Sequence, residues 1–271
     1  IPRRIREHRK KYRFLPRRRS GGGKRNKTIG KSRKNKMAEE IKLISINING
    51  LNSQIKRKKM ITKLQKLNLD IICLQETHIQ KHQSKLLEAP KLGDLYISLA
   101  QKKKRGIAIY IRKHLQAKQI YADEEGRILM LEVYINYKKM LLTVIYAPNE
   151  KQEKFYTKLY RKLVEQEYEN ICLLGDFNAI ANLGKDYNNG NPGEKRKRKT
   201  LPKVFYQMVE ELGLKYIWRE RNPDKNQYTY YSAPHTSWSR LDMLWTNGEM
   251  ERNIKEIEIE SNTWLGEYFA L

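Results

Sequence analysis

The stretch Ile171-Cys172-Leu173-Leu174 runs straight into Gly175-Asp176-Phe177-Asn178. Four consecutive apolar residues describe a strand buried on both faces, so the chain must supply covering layers above and below a sheet. In an extended segment residues two apart point the same way. Asp176 and Asn178 can then face one pocket at the mouth of the sheet while Phe177 packs behind them. A carboxylate that orients water beside an amide that bonds a developing oxyanion suits phosphoester hydrolysis. The alternative is a strand that simply ends in an Asp/Asn turn.

Other strands end in the same manner. Ile41 to Asn47 reads as a strand and ends in Asn47-Ile48-Asn49-Gly50, and the buried strand Asp70 to Leu74 leads into Gln75-Glu76-Thr77-His78. Between them Met60, Ile61, Leu64 and Leu67 recur at helical spacing. A carboxylate tied so closely to a core strand as Glu76 is a candidate metal ligand; otherwise it needs a cationic partner. Residues 106–146 read as an antiparallel meander of strands at Ile107–Ile111, Ile128–Ile135 and Leu141–Tyr146, the last ending in Tyr146-Ala147-Pro148-Asn149. A helix over 150–168 follows, with Phe155, Leu159 and Leu163 on one face. Asp242, in Trp238-Ser239-Arg240-Leu241-Asp242-Met243-Leu244, is a further acid on an apolar strand.

The 271 residues suffice for one large core. Formal net charge is +26, and residues 1–36 hold 17 Lys or Arg against one Glu. That segment is expected to be disordered and polycationic, either a nucleic-acid or nuclear-import tail or read-through upstream of Met37. Residues 37–271 form the folded domain and remain basic without it, which points to a polyanionic partner, nucleic acid ahead of a membrane surface. No apolar run reaches the length of a membrane span. Cys73 and Cys172 both fall in strand-like runs and read as reduced core thiols.

Taken in order, Asn47-Ile48-Asn49-Gly50, Gln75-Glu76-Thr77-His78, Tyr146-Ala147-Pro148-Asn149, Gly175-Asp176-Phe177-Asn178, Tyr228-Thr229, Ser232-Ala233-Pro234-His235 and Ser239-Arg240-Leu241-Asp242 resemble the endonuclease domain of LINE-type retrotransposons. That domain is one of the apurinic/apyrimidinic-endonuclease and DNase I-like proteins. The resemblance covers about residues 41–271. It implies an α/β fold, a two-sheet sandwich flanked by helices, with the site where strand ends of both sheets meet. It implies that Glu76 and Asn47 hold a divalent ion, Mg²⁺ or Mn²⁺, and that Asp176 orients or deprotonates the attacking water. Asn178 and Tyr146 would bond the non-bridging oxygens, and Asp242 would orient a histidine. Asn149, Thr229, His235 and Arg240 correspond to positions on the DNA side. The implied partner is DNA, the implied location nuclear, and the family carries a reverse transcriptase that this chain lacks.

One element departs from the pattern. The family needs Ser-Asp-His just after the final strand. With Phe269-Ala270-Leu271 setting the register, Gly266, Glu267 and Tyr268 stand there. Anchoring on Asn262-Thr263-Trp264 shifts this by one, and neither register supplies an Asp or a His. A phenol titrates near pH 10, so Tyr268 is a poor base at neutrality. Loss of a positioned acid/base costs about 10²–10⁴ in rate. The expectation is a DNA-nicking endonuclease by descent with impaired activity. A catalytically dead nucleic-acid-binding module and a phosphoesterase acting on lipid or inositol phosphates are the alternatives.

Overall fold

The computed structural model describes residues 8–14, 40–189 and 198–261. In chain order the strands are β1 His8–Phe14, β2 Ile41–Asn47, β3 Ile71–Gln75, β4 Asp94–Ser98, β5 Ile107–Ile111, β6 Ala117–Ala122, β7 Ile128–Ile135, β8 Lys138–Tyr146, β9 Ile171–Asp176, β10 Tyr187–Asn189, β11 Lys215–Tyr216, β12 Tyr230–Ser232, β13 Ser237–Ser239, β14 Asp242–Thr246 and β15 Ile254–Ser261. The helices are α1 Gln54–Lys66, α2 Gln152–Val164, α3 Leu183–Asp186, α4 Lys203–Glu211, α5 Ile217–Arg221 and α6 Gly248–Asn253. No helix among the described residues is long and apolar enough to cross a membrane.

Two six-stranded sheets are formed, in the orders β15-β1-β2-β3-β5-β4 and β11-β14-β9-β8-β7-β6, with a small sheet β10-β13-β12 beside them. Each large sheet contains one parallel pair, β2–β3 and β8–β9. A parallel pair needs a crossover, and α1 and α2 supply them. The consequence is functional geometry: both crossovers bring two carboxyl-terminal strand ends to the same edge of their sheet. Asn47 and Gln75 are register partners in one sheet, Tyr146 and Asp176 in the other.

Alternation within the strands builds two packed layers. Leu43, Ile71, Cys73, Ile107 and Ile109 join the main core with the second sheet. Their neighbours Ile44, Ile46, Ile72, Leu74 and Tyr110 pack outward with Met60 and Leu64 of α1. On the far side Phe177, Tyr156, Phe205 and Trp245 meet edge to face, seating α2 and α4 against the second sheet. Cys73 and Cys172 are free and buried, and burial lifts both thiol pKa values, that of Cys172 to about 12. They are thiols of the core without nucleophilic character.

Two expectations are corrected here, and two strands are added. The proposed meander of 106–146 is divided: β5 pairs with β3 and β4 in the first sheet, and the chain then changes sheet before β6, β7 and β8 form the antiparallel run. β4 and β6 carry polar residues on partly exposed strands, so apolar periodicity alone misses them. The polybasic segment 1–36 contains a strand at its front, for β1 pairs antiparallel with both β2 and β15. The two flanking strands offer open backbone donors and acceptors that a basic segment can satisfy as well as an apolar one.

Candidate active site

At the shared edge, three acids come from three strand ends. Asp176 closes β9, Asp242 opens β14 as its register partner, and Glu76 follows β3. Gly175 is required immediately before Asp176. Its φ is +132°, and a Cβ there would lie 2.1 Å from the carbonyl oxygen of Ile145. The strand ends at Asp176, not at Asn178. Asn178 turns into the left-handed region at φ 47°, and its N–H donates to Asp176 Oδ1 at 2.8 Å. The Asp/Asn turn and the site are thus the same structure.

Asp176 is nearly buried, at 5% exposure. Its hydrogen-bond donors are neutral: the Asn178 N–H, and Asn47 Nδ2 at 2.8 Å from Oδ2, reaching across from the first sheet. Burial drives the Asp176 pKa well above the ordinary carboxylate range. The nearby Asp242 adds to the rise, the two asparagine bonds oppose it, and Glu76 adds a little more. The Tyr146 hydroxyl bonds Glu76, and its pKa is pushed up by burial and then by Glu76 and Asp176, so it stays a donor. Arg127 lies over the Tyr146 ring at 5.1 Å and donates to the Tyr146 carbonyl at 2.9 Å. His78 Nε2 is 3.7 Å from Glu76 Oε2. Burial lowers the His78 pKa, Glu76 opposes this, and Lys56 and Lys104 lower it further.

Glu76 and His78 adopt left-handed backbone at φ 54° and 57°, as Asn49 and Asn178 do at 44° and 47°. Non-glycine residues in that region carry strain, and here they gather at the strand ends that meet.

The structure brings together Asn47, Glu76, Tyr146, Asp176, Asn178 and Asp242. Asn149 is exposed nearby, its carbonyl bonded by Lys199. His235 is exposed in the turn Ala233–His235 at the tip of the β12–β13 hairpin, below which Tyr231 and Trp238 pack ring to ring at 4.6 Å. Two residues expected on the DNA side face inward instead. Thr229 is buried, and its Oγ1 accepts the N–H groups of Leu241 at 2.9 Å and Asp242 at 3.2 Å. Arg240 is fully buried, 3.5 Å over the Trp218 ring, with Nε donating to Gln227 O at 2.7 Å and Nη1 3.6 Å from Asp186. Both support the start of β14, and so Asp242, from behind. A motif arginine looks alike in sequence whether it meets phosphate or a buried carboxylate, and only burial separates the two. Gly266, Glu267 and Tyr268 lie outside the described residues.

Gln152 was not legible as a site residue. It is buried at the start of α2, and its Nε2 lies 2.9, 3.0 and 3.1 Å from the carbonyls of Pro148, Phe177 and Asn178. It ties the two loops that carry Asn149 and Asn178. A polar residue in a first helical turn carries no sequence signal for that role.

The donor set fits a hard divalent cation. The Asp176 carboxylate is raised in pKa first by burial and then by Asp242, with a smaller push from Glu76, so the gap disfavours its negative charge unless a cation enters. The Asn47 amide oxygen, which accepts from the Asn49 N–H at 3.1 Å, points the same way chemically. Among the described residues no three His, Cys, Asp or Glu side chains form a cage by themselves.

A two-sheet sandwich flanked by helices, with acids and amides at converging strand ends, is the architecture of a DNase I-like phosphoesterase. The chain belongs to the Endonuclease/Exonuclease/phosphatase family, which matches residues 44–261. It is similar to an exodeoxyribonuclease of Bacillus subtilis (strain 168), 32% identical over 118 residues, 41% of this chain and 44% of that protein. It is also similar to an uncharacterized 149 kDa protein of transposon TX1 from Xenopus laevis, 22% identical over 218 residues, 78% of this chain and 16% of that one. The chain therefore spans less than half the length of these two relatives. Among solved structures, the AP endonuclease LMAP from Leishmania major matches with a TM-score of 0.65 at 16% identity, covering 78% of this chain and 80% of that one. The endonuclease domain of TRAS1, a telomere-specific non-LTR retrotransposon, matches with a TM-score of 0.55 at 14% identity, covering 77% and 85%. At such identities the structural likeness establishes the fold.

Proposed function

We propose that this chain is a Mg²⁺-dependent DNA-nicking domain descended from a LINE-type retrotransposon, cutting one strand to leave a 3′-hydroxyl that primes reverse transcription. The observation that carries the reading is the meeting of Glu76, Asp176 and Asp242, with Asn47, Asn178 and Tyr146 around them, at one edge of a DNase I-like sandwich. The ordered motifs shared with LINE endonuclease domains select DNA over lipid phosphates.

Glu76 and Asn47 are the residues that would hold the ion, which supplies charge stabilisation at the phosphate and the leaving 3′ oxygen. Asp176, held by two neutral donors and raised in pKa, takes the proton of the attacking water. Asn178 and the permanently protonated Tyr146 donate to the non-bridging oxygens, where negative charge grows. Asp242, fixed from behind by Thr229, orients the partner acid/base. With Gly266, Glu267 and Tyr268 at the terminal element, that last partner is lost and turnover is slow.

The test is nicking of supercoiled plasmid by the full chain with Mg²⁺, beside the variant Gly266→Ser/Glu267→Asp/Tyr268→His. The expected result is a rate about 10²–10⁴ higher in the variant, abolished in both backgrounds by Asp176→Ala or Glu76→Ala. Nicking that survives both alanine substitutions overturns the assignment. DNA binding without nicking in every background leaves a binding module only.

A further inference from the structure

The connection between β4 and β5 lies against the strand end that carries Glu76. The Thr77 N–H donates to Gly106 O at 3.0 Å and the His78 N–H to Arg105 O at 2.8 Å. On the other flank the Lys81 N–H donates to Ala100 O at 3.1 Å, and Gln80 Nε2 to Gln101 O at 2.7 Å. Four bonds thus clamp both sides of the loop to residues 77–81. Between the clamps stand Lys102, Lys103 and Lys104, all exposed, with the Lys104 N–H bonded to Lys102 O at 2.7 Å.

The next residue, Arg105, is neutralised by Glu125 at 2.7 Å. Elsewhere Lys139 meets Glu132 and Lys215 meets Glu251, each at 3.1 Å. The three lysines of the loop have no such carboxylate among the described residues. Three adjacent ammonium groups repel one another, and this turn holds them together at the rim of an acidic centre. An anionic chain laid over the rim would relieve that repulsion.

We propose that Lys102, Lys103 and Lys104 grip successive backbone phosphates of duplex DNA on the Glu76 side of the scissile bond. This rests on reading the site as one for DNA, though not on the chain being an active nuclease. The loop is a positioning surface: it contacts phosphates and reads no base.

The test is the affinity of the full chain for a labelled duplex, measured in EDTA by fluorescence anisotropy at several salt concentrations. Three variants are compared with the parent: Lys102→Ala/Lys103→Ala/Lys104→Ala, the same positions changed to Arg, and Lys66→Ala/Lys113→Ala/Lys118→Ala. The last set removes equal charge from exposed positions at the opposite end of the sandwich, near the starts of β3 and β9. Each phosphate contact contributes about 0.9 to the slope of log affinity against log salt. The alanine triple should therefore lose about 2.7 of slope. Between 50 and 200 mM salt it should weaken about 40-fold less than the parent. The arginine triple and the distant triple should keep the parental slope.

An alanine triple whose slope matches that of the distant triple overturns the proposal. If the parent still nicks plasmid in that case, the DNA reading of the site stands and only the rim is lost. A parent with no salt-sensitive duplex binding overturns both.

Discussion

Asp176 and Asp186 are both buried carboxylates, at 5% and 0% exposure, and the chain treats them in opposite ways. Asp186 is met by guanidinium groups, Arg219 at 2.7 Å and Arg240 at 3.6 Å, and its backbone carbonyl accepts the Arg240 N–H at 2.9 Å. Asp176 is met by two amide donors and by the negative field of Asp242 and Glu76. A buried charge is ordinarily paired by the fold. The pairing at Asp186 pins β14 in place, whereas the shortfall at Asp176 is what a cation or a proton from outside the chain can fill. The first acid maintains the structure, and the second awaits chemistry.

The sharpest way to break this contrast is Asp176→Asn, which keeps shape and removes charge. Nicking should fall by about 10²–10⁴ in the background with the terminal element restored, while the fold holds. In metal-free buffer the variant should also change the pH dependence of stability. The folded-state pKa of Asp176 is raised, so its protonated form stabilises the fold fully below the unfolded value of about 3.9. That contribution is lost as pH rises through the elevated value. Urea denaturation at stepped pH should show the parent losing stability relative to Asp176→Asn on going from acid to neutral. A constant difference would mean that neither burial nor the neighbouring acids raise the Asp176 pKa.

The counterpart, Asp186→Asn, should cost about 3–5 kcal/mol in urea denaturation, because it removes the carboxylate that pairs the buried Arg240 and the partly buried Arg219. A cost below about 1 kcal/mol, within the range of an exposed pair, would remove Asp186 from its structural role. A ligand-based test comes next in size. Mg²⁺ at about 100 times its dissociation constant should stabilise the parent by about 2.7 kcal/mol. Glu76→Gln should abolish most of that gain, as read by thermal melting with and without EDTA. The smallest effect is expected at Thr229→Val, which removes the acceptor for the Leu241 and Asp242 N–H groups. It should lower stability by about 1–3 kcal/mol and reduce the nicking rate without changing the salt dependence of DNA binding. A change in that salt slope would return Thr229 to the DNA side.

Much of the site was legible because its logic is local. A strand buried on both faces cannot carry an acid within its run, so acids appear where the run ends. Glu76, Asp176 and Asp242 each sit at such a junction, with an amide or hydroxyl nearby in sequence. Gly175 was legible as a break in the apolar run, although its cause is tertiary: the Ile145 carbonyl leaves no room for a side chain. Arg240 and Thr229 were misplaced because their motif looks like a contact surface, while the second sheet, Trp218 and Asp186 enclose it. Gln152 and the lysines of the β4–β5 loop had no signal of their own. Their positions depend on which loops lie beside the strand ends.

The sequence alone therefore determined the apolar strands β2, β3, β5, β7, β8 and β9, the two crossover helices and the acids at the strand ends, since period and composition act over a few residues. It also carried the ordered motifs that mark the family. The tertiary structure decided which sheet each strand joins, moving β5 away from β6 and seating β1 between β2 and β15. It decided too which buried charge receives a partner. Pairing and burial depend on residues far apart in the chain, as Asn47 and Asp176 are, and no local pattern records the 2.8 Å between them.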